Sequence, residues 1–284
     1  MGFLQRATNL VTYEWRRALA KKWLYVLVIL TLVLQVGLFA LFYYLFTNPP
    51  PGFVGPPLEE IKNTMWLLGV FGTQSLFIPL IAIVIAGGSM SDEYEHGTAD
   101  ILLSKPITKV EYMTGKFLGG LSLLGFVIAL TTALGATLAY GLFGPQKSIH
   151  FVPIIYLVLL YSNLLLFSMA FMFSEVLRRT TLSMLATIGI FVASLFIGGM
   201  LSQVYFLTQE KLYLEISKWL PNWSISGLPS FVASELITAP ESPFVSLPGG
   251  DILLAATIIA VYSVACILIA VLKLVRSDVT KRTG

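Results

Sequence analysis

Gly87-Gly88-Ser89-Met90-Ser91-Asp92-Glu93-Tyr94-Glu95-His96-Gly97-Thr98, continued by Ala99-Asp100-Ile101-Leu102-Leu103-Ser104-Lys105-Pro106, joins two long apolar runs at 65–90 and 117–143. Neither run contains an Asp, Glu, Lys, Arg or His. Each exceeds the roughly 20 apolar residues a helix needs to cross the hydrocarbon of a bilayer. A polar stretch with four acids between two such runs reads as a shaped element at a membrane face. Everything else in the chain is understood by moving outward from it.

Four further runs qualify as spans, giving six at 23–46, 65–90, 117–143, 151–173, 181–204 and 252–274. Hydrophobic residues make up 56% of the 284-residue chain and charged residues 12%. Soluble domains carry about 25% charged residues, so composition alone places this protein in the membrane class. The expected fold is an all-α integral membrane protein forming a single transmembrane domain over residues 1–284.

Lys and Arg give the orientation. With a cytoplasmic N-terminus, fourteen of the 18 basic residues, including every arginine, lie on the inside, and only Lys62, Lys147, Lys211 and Lys218 lie outside. The expectation is a multi-pass protein of the cell membrane with both termini cytoplasmic. The net charge of +3 is an orientation signal and implies no nucleic-acid partner. The first apolar run lacks a small-residue cleavage site and reads as a retained span. Cys266 is the single cysteine, inside the last span, where it reads as a small packed side chain.

Residues 3–22 read as an amphipathic interfacial helix. Leu4, Ala7, Val11, Trp15 and Ala18 share a face, Gln5, Asn9 and Arg16 lie opposite, and Glu14 falls near the apolar face against the pattern. Prolines between Pro49 and Pro57 make an outside loop, and Pro79 predicts a kink in the second span. A short outside turn covers 144–150, and an inside turn covers 174–180 with Glu175, Arg178 and Arg179. The long outside segment, 205–250, carries Leu212, Ile216, Trp219 and Leu220 at helical spacing until Pro221 stops the pattern. It reads as an interfacial helix followed by a proline-rich return, with Trp219 and Trp223 in the aromatic belt. As the largest external element, it is also the candidate surface for an external partner. Asn222-Trp223-Ser224 is a formal glycosylation sequon.

No catalytic motif accompanies this architecture. His96 and His150 with one cysteine make no metal cluster or nucleophile pair. Gly115-Lys116 is followed by Phe117, and Val110 stands where a phosphate-binding loop needs its first glycine. The chain is expected to be no enzyme and to bind no metal. The spans also lack the charges that mark proton relays, so any uphill work needs energy from elsewhere.

Within the opening stretch, Gly97 can end a helical turn at positive φ. Residues 98–104 make about two further turns clustering Ile101, Leu102 and Leu103, and Pro106 enforces a break. Thr108-Lys109-Val110-Glu111 forms a capping box that starts the next helix below the membrane. The product is a short crosswise helix within 91–111, able to pass rigid-body motion to the spans on either side. As alternatives, the loop is a solvated acidic connector, or Asp92, Glu95 and His96 bind a metal.

At these residues the chain resembles the membrane subunits of type-2 ABC transporters, the export-type ABC permeases. The family pattern appears as Glu95, Gly97-Thr98, Leu102-Leu103-Ser104, Pro106, Lys109 and Gly115-Lys116. Lys109 stands where the family often has Arg. The six spans, amphipathic N-terminus and long last external loop extend the resemblance over the whole chain. It implies two permease copies, a homodimer by expectation, with two separate ATPase subunits that hold ATP and Mg, so this chain itself binds no cofactor. It also implies that Glu93, Glu95, Gly97, Thr98, Ile101, Leu102, Leu103, Ser104 and Pro106 form the ATPase-coupling segment. Function would then be export of an amphiphilic substrate or force transmission across the membrane. A non-transporting membrane scaffold and an ion-coupled secondary transporter are the competing readings.

A path through the membrane has weaker marks. Ser183, Thr187, Ser194, Gly198 and Ser202 form one stripe on the fifth span, Thr73-Gln74-Ser75 precede Pro79, and the fourth span holds Ser162-Asn163. In the resembled family the second and fifth spans approach the dimer axis, which makes Gln74, Thr187, Ser194 and Ser202 the path candidates. Ordinary helix packing explains the same stripe, and it explains Gly115 and Gly119 as well.

Overall fold

The computed structural model describes residues 3–49, 62, 65–98, 108–236 and 250–276. Its helices, in chain order, are α1 (Phe3–Leu19), α2 (Lys22–Thr47), α3 (Met65–Gly87), α4 (Ser91–Glu95), α5 (Lys109–Phe143), α6 (Val152–Leu177), α7 (Thr180–Thr208), α8 (Lys211–Lys218), α9 (Pro221–Leu236) and α10 (Ile252–Arg276). Among the described residues there is no strand. Five helices are long and apolar enough to cross a membrane, and α3 makes a sixth when its two bent halves count as one span.

The spans agree with the apolar runs, because a helix is the only open-chain way to satisfy backbone hydrogen bonds in hydrocarbon. α3 stays helical through Pro79. Its 42° bend separates Met65–Gly72 from Gln74–Gly87, upstream of the proline. α5 is longer than its apolar run, with 35 residues, or about 50 Å at 1.5 Å per residue. A bilayer core is about 30 Å thick, so one end of α5 projects well beyond it. That end begins with the expected capping box: Thr108 accepts from the Glu111 amide at 3.1 Å, and Glu111 accepts from the Thr108 amide at 3.0 Å.

α6 is the central helix and packs against α3, α5, α7, α9 and α10. One core cluster joins α1, α2, α3, α5 and α6 around Trp66, Phe167 and Phe171, and a second joins α6, α7, α9 and α10 around Leu166, Phe191 and Ile259. α1 docks on the first third of α5. The Leu10 side chain lies over Gly115, and Glu14 and Val11 lie over Gly119, while Trp15 donates to Ser122 at 2.9 Å and its ring meets Phe126. Glycines spaced four apart thus let a helix approach closely, and the helix they admit is α1. Lys109 donates to the carbonyls of Leu274 and Val275, so the last turn of α10 meets the first turn of α5. The N-terminal helix and the C-terminal end of α10 therefore lie at one end of the bundle.

The segment after α7 departs from expectation. Pro221 does not start a proline-rich return: it opens α9, where proline is tolerated because first-turn amides have no intrahelical acceptor. Residues 237–249 lie outside the described residues. Trp219 is exposed as an interfacial residue should be, but Trp223 is buried against Phe231 with ring centroids 5.4 Å apart. Its role is core packing, because α9 folds back onto α6, α7 and α10.

Candidate functional site

The stretch after α3 is held by side chains, since the five-residue α4 is too short to be stable alone. Glu93 is buried, and Lys116, in the third turn of α5, places its Nζ 2.6 Å from Glu93 Oε1 and 3.5 Å from Glu14 Oε2. Lys116 also donates to the Ser89 carbonyl. Glu14 on α1 takes both arms of Arg17, at 2.5 and 3.0 Å, and accepts from Ser89 Oγ at 2.7 Å. Both Glu14 and Lys116 have no exposed surface.

Arg17 then reaches the end of α3. It donates to the carbonyls of Ile85 and Gly88 at 2.9 and 2.8 Å. The Ile85 carbonyl is in the last turn, where carbonyls lack an intrahelical partner and a cation suits the negative end of the helix dipole, while the Gly88 carbonyl also accepts from the Asp92 amide at 3.3 Å. Arg17 also binds Asp92 Oδ2 at 2.6 Å, which Lys21 shares at 2.7 Å. The other carboxylate oxygen of Asp92 accepts from Thr180 Oγ1 at 2.6 Å.

The remaining residues of α4 bind α6 and α7. Ser174 Oγ accepts from the amides of Met90 and Ser91 at 2.9 and 2.8 Å. Tyr94 donates to Glu175 at 2.8 Å, and the Arg178 guanidinium stacks 4.4 Å from the Tyr94 ring. Arg178 itself adopts φ 53°, a left-handed conformation that lets the chain reverse between α6 and α7. Glu95 accepts from the Thr180 amide at 3.0 Å and caps the start of α7. Gly97 has φ 67°, as expected, and the Thr98 amide closes back on the Glu93 carbonyl at 2.9 Å.

Asp92 and Glu95 both accept from Thr180, through its hydroxyl and its amide, and His96 Nδ1 meets the Asp92 carbonyl at 2.6 Å. Among the described residues no group of three or more acids, histidines and cysteines could hold a metal ion. Ile101, Leu102, Leu103, Ser104 and Pro106 lie outside the described residues.

Burial and charge act in opposite directions on these acids. Burial alone would raise Glu14, but Lys116 and Arg17 outweigh it and hold the carboxyl below its ordinary value of 4.5. Burial is likewise outweighed at Asp92 by Lys21, Thr180 and Arg17, so Asp92 lies below its ordinary 3.8. At Glu93 burial prevails over Lys116 and pushes the carboxyl up. Tyr13 is pushed up to about 12, first by burial and then by Glu93.

The signs set a pH dependence. The lowered values of Glu14 and Asp92 stabilise the fold above their ordinary values, and that contribution is lost as pH falls through the folded-state values. The raised value of Glu93 acts oppositely: its contribution is complete in acid and lost as pH rises, so it does not weaken the fold on acidification. The protection factors of the α1 amides, taken relative to intrinsic exchange at each pH, should therefore fall as pH drops below about 4. Unchanged protection across that range would show that these carboxylates do not hold α1.

In the sequence Glu14 stands as an exception to an amphipathic face, and Lys116 stands at the edge of a span. A signal for their pairing is present in part: Glu14 and Arg17 are three apart on one helix, and Lys116 sits between the two close-packing glycines of α5.

The path candidates are not gathered around one opening. Gln74 is buried and donates to Thr131 and Thr132 of α5 at 3.0 and 3.2 Å. Gln35 of α2, which carries no mark in the sequence pattern, donates to the Thr131 carbonyl at 3.0 Å. Thr187 and Ser194 are buried and donate to the carbonyls of Ser183 and Phe191 in their own helix. Ser202 is exposed and donates to the Gly198 carbonyl.

The model of one known family, described as ABC-2 family transporter protein, matches residues 8–276. No curated protein matches the chain. The match runs from α1, through the ion-paired junction at α4, to the last turn of α10. This multi-pass membrane chain therefore belongs to the ABC-2 family of transporter proteins.

Proposed function

We propose that this ABC-2 permease receives mechanical work from a separate ATPase subunit docking on residues 98–104, and spends it on moving an amphiphilic substrate outward or on transmitting force across the membrane. Two permease copies, as a homodimer, and two ATPase subunits form the working assembly, with ATP and Mg held by the ATPases. The N- and C-termini and the α4 junction face the cytoplasm, on the side favoured by the lysine and arginine distribution.

The observation that carries this reading is the attachment of α4. The four residues Ser91, Asp92, Glu93 and Tyr94 are bonded to α1, α5, α6 and α7 while α3 leads directly into them. A displacement of the adjoining segment is thereby delivered to α1 and four spanning helices together, more than the two spans adjacent in sequence. Hydrogen bonds of this kind hold geometry rigidly because leaving any buried member unpaired is costly.

The test is the double variant Leu102→Asp and Leu103→Asp in the co-expressed complex. Two charges on an apolar docking face should remove most of the co-purifying ATPase while leaving the permease's own thermal unfolding unchanged. Undiminished co-purification would overturn the docking assignment. The segment 205–250 is the proposed surface for an external partner.

A further inference from the structure

A cavity of about 270 Å³ lies between α3, α6 and α9. Within its lining, Phe71 stands about 9 Å along α3 from Met65, and Asn163 about 17 Å along α6 from Val152. Half of a bilayer core is about 15 Å thick, so the cavity lies at the depth of the hydrocarbon chains.

The deep wall is carbon. Phe71, Pro79, Leu159, Ile225 and Pro229 are all buried. The polar side chains beside them are turned into the helices. Gln74 donates to Thr131 and Thr132, and Asn163 and Ser162 donate to the Leu159 carbonyl. The oxygens of both carboxamides have essentially no accessible surface.

Three serines complete the lining, and they are its least buried members. Ser75 is exposed, and Ser226 and Ser230 are half-buried. They mark the mouth. Gly72 and Leu76, which flank Ser75 on α3, are exposed as well. The mouth is therefore continuous with the outward surface of α3, which at this depth faces lipid chains.

We propose that this cavity takes one acyl chain of a phospholipid from the surrounding leaflet, inserted past Ser75 between α3, α6 and α9, with the headgroup left at the membrane surface. No charged residue lines the cavity, so a phosphate or ammonium entering it would lose its hydration without finding a counter-charge. A carbon-walled space left empty forfeits dispersion contacts, and hydrocarbon is the phase at hand to restore them. At roughly 30 Å³ for a water-sized group, which is also about the size of a methylene, the volume takes a segment of about nine carbons. That is half of an oleoyl chain. Occupancy needs no ATPase, so the site stands or falls separately from the docking proposal.

The experiment uses the full chain in phosphatidylcholine nanodiscs doped with a phosphatidylcholine that carries a diazirine at the middle of one acyl chain. Irradiation followed by peptide mass spectrometry locates the adducts. Lipid surrounding the protein reaches outward residues such as Leu157, which is 60% exposed. Only an inserted chain reaches Phe71, Leu159 and Ile225, which are 9%, 4% and 4% exposed. Adducts on these buried residues as well as on Leu157 are expected, and an analogue with its diazirine in the headgroup should give none in the cavity. Ser226→Phe and Ser230→Phe each place a ring in the mouth from α9. Either should remove the cavity adducts and keep those on Leu157, and the second serves if the first fails to fold. Adducts confined to outward residues would show that no chain enters, and would overturn the proposal. Cavity adducts that persist in the folded variants, or that form equally from the headgroup-labelled lipid, would overturn it too.

Discussion

Lys116→Ala should lower the unfolding free energy by about 3–5 kcal/mol, the cost of removing one partner from a buried ion pair. Lys116 has no exposed surface, lies between Glu14 and Glu93, and also binds the Ser89 carbonyl. Without it Glu93 keeps no close cation, and Glu14 keeps only Arg17. The loss should appear as a lower unfolding temperature in detergent and as faster exchange of the α1 amides. Lys116→Met combined with Glu93→Gln should recover much of the loss, because Glu14 and Asp92 then balance Arg17 and Lys21 and no buried charge is left unpaired. A Lys116→Ala protein as stable as the wild type would refute the buried network.

Gly119→Val should detach α1 from α5. Even a Cβ at Gly119 would lie 2.8 Å from Glu14 Cβ and 3.1 Å from Val11 Cα. The second of these is backbone, so a rotamer change cannot relieve it and the helix must move. Overpacking costs about 1–3 kcal/mol. A shift of α1 also draws Glu14 and Arg17 away from Lys116, Ser89 and Asp92, so the two effects are coupled. Gly141 is the control: it lies in the same helix, and a Cβ there would meet nothing within 4 Å. Gly141→Val should leave α1 exchange unchanged. If both variants protect the α1 amides equally, α1 is not held through Gly119.

The two experiments separate contributions that proximity confuses. Lys116→Ala removes charge and leaves the helix contact in place, whereas Gly119→Val disturbs the contact and leaves every charge present. A variant of the first kind should retain the Trp15 bond to Ser122, and one of the second kind should lose it.

Local rules read well from residue order. The spans follow from apolar runs too long for other solutions, and the Thr108–Glu111 box and the left-handed Gly97 need only neighbours within a few residues. α9 is hidden in the sequence because Pro221 reads as a stop, although proline serves equally well in a helical first turn. Trp223 reads as an interface residue because an amphipathic ring is at home there, while its burial depends on α9 folding back against the bundle.

The amino-acid order by itself determined the spans, their caps, the basic-residue asymmetry and the polar stretch at 87–106, because hydrophobic length and local hydrogen bonding act within a few turns. Only the tertiary structure decided that Glu14, Lys116 and Glu93 share one buried site. Arg17 and Asp92 are 75 residues apart in sequence, and no local propensity brings such groups together. Their pairing comes from packing α1 on the close-approach face of α5, where a buried charge is tolerated only if its partner is delivered to it.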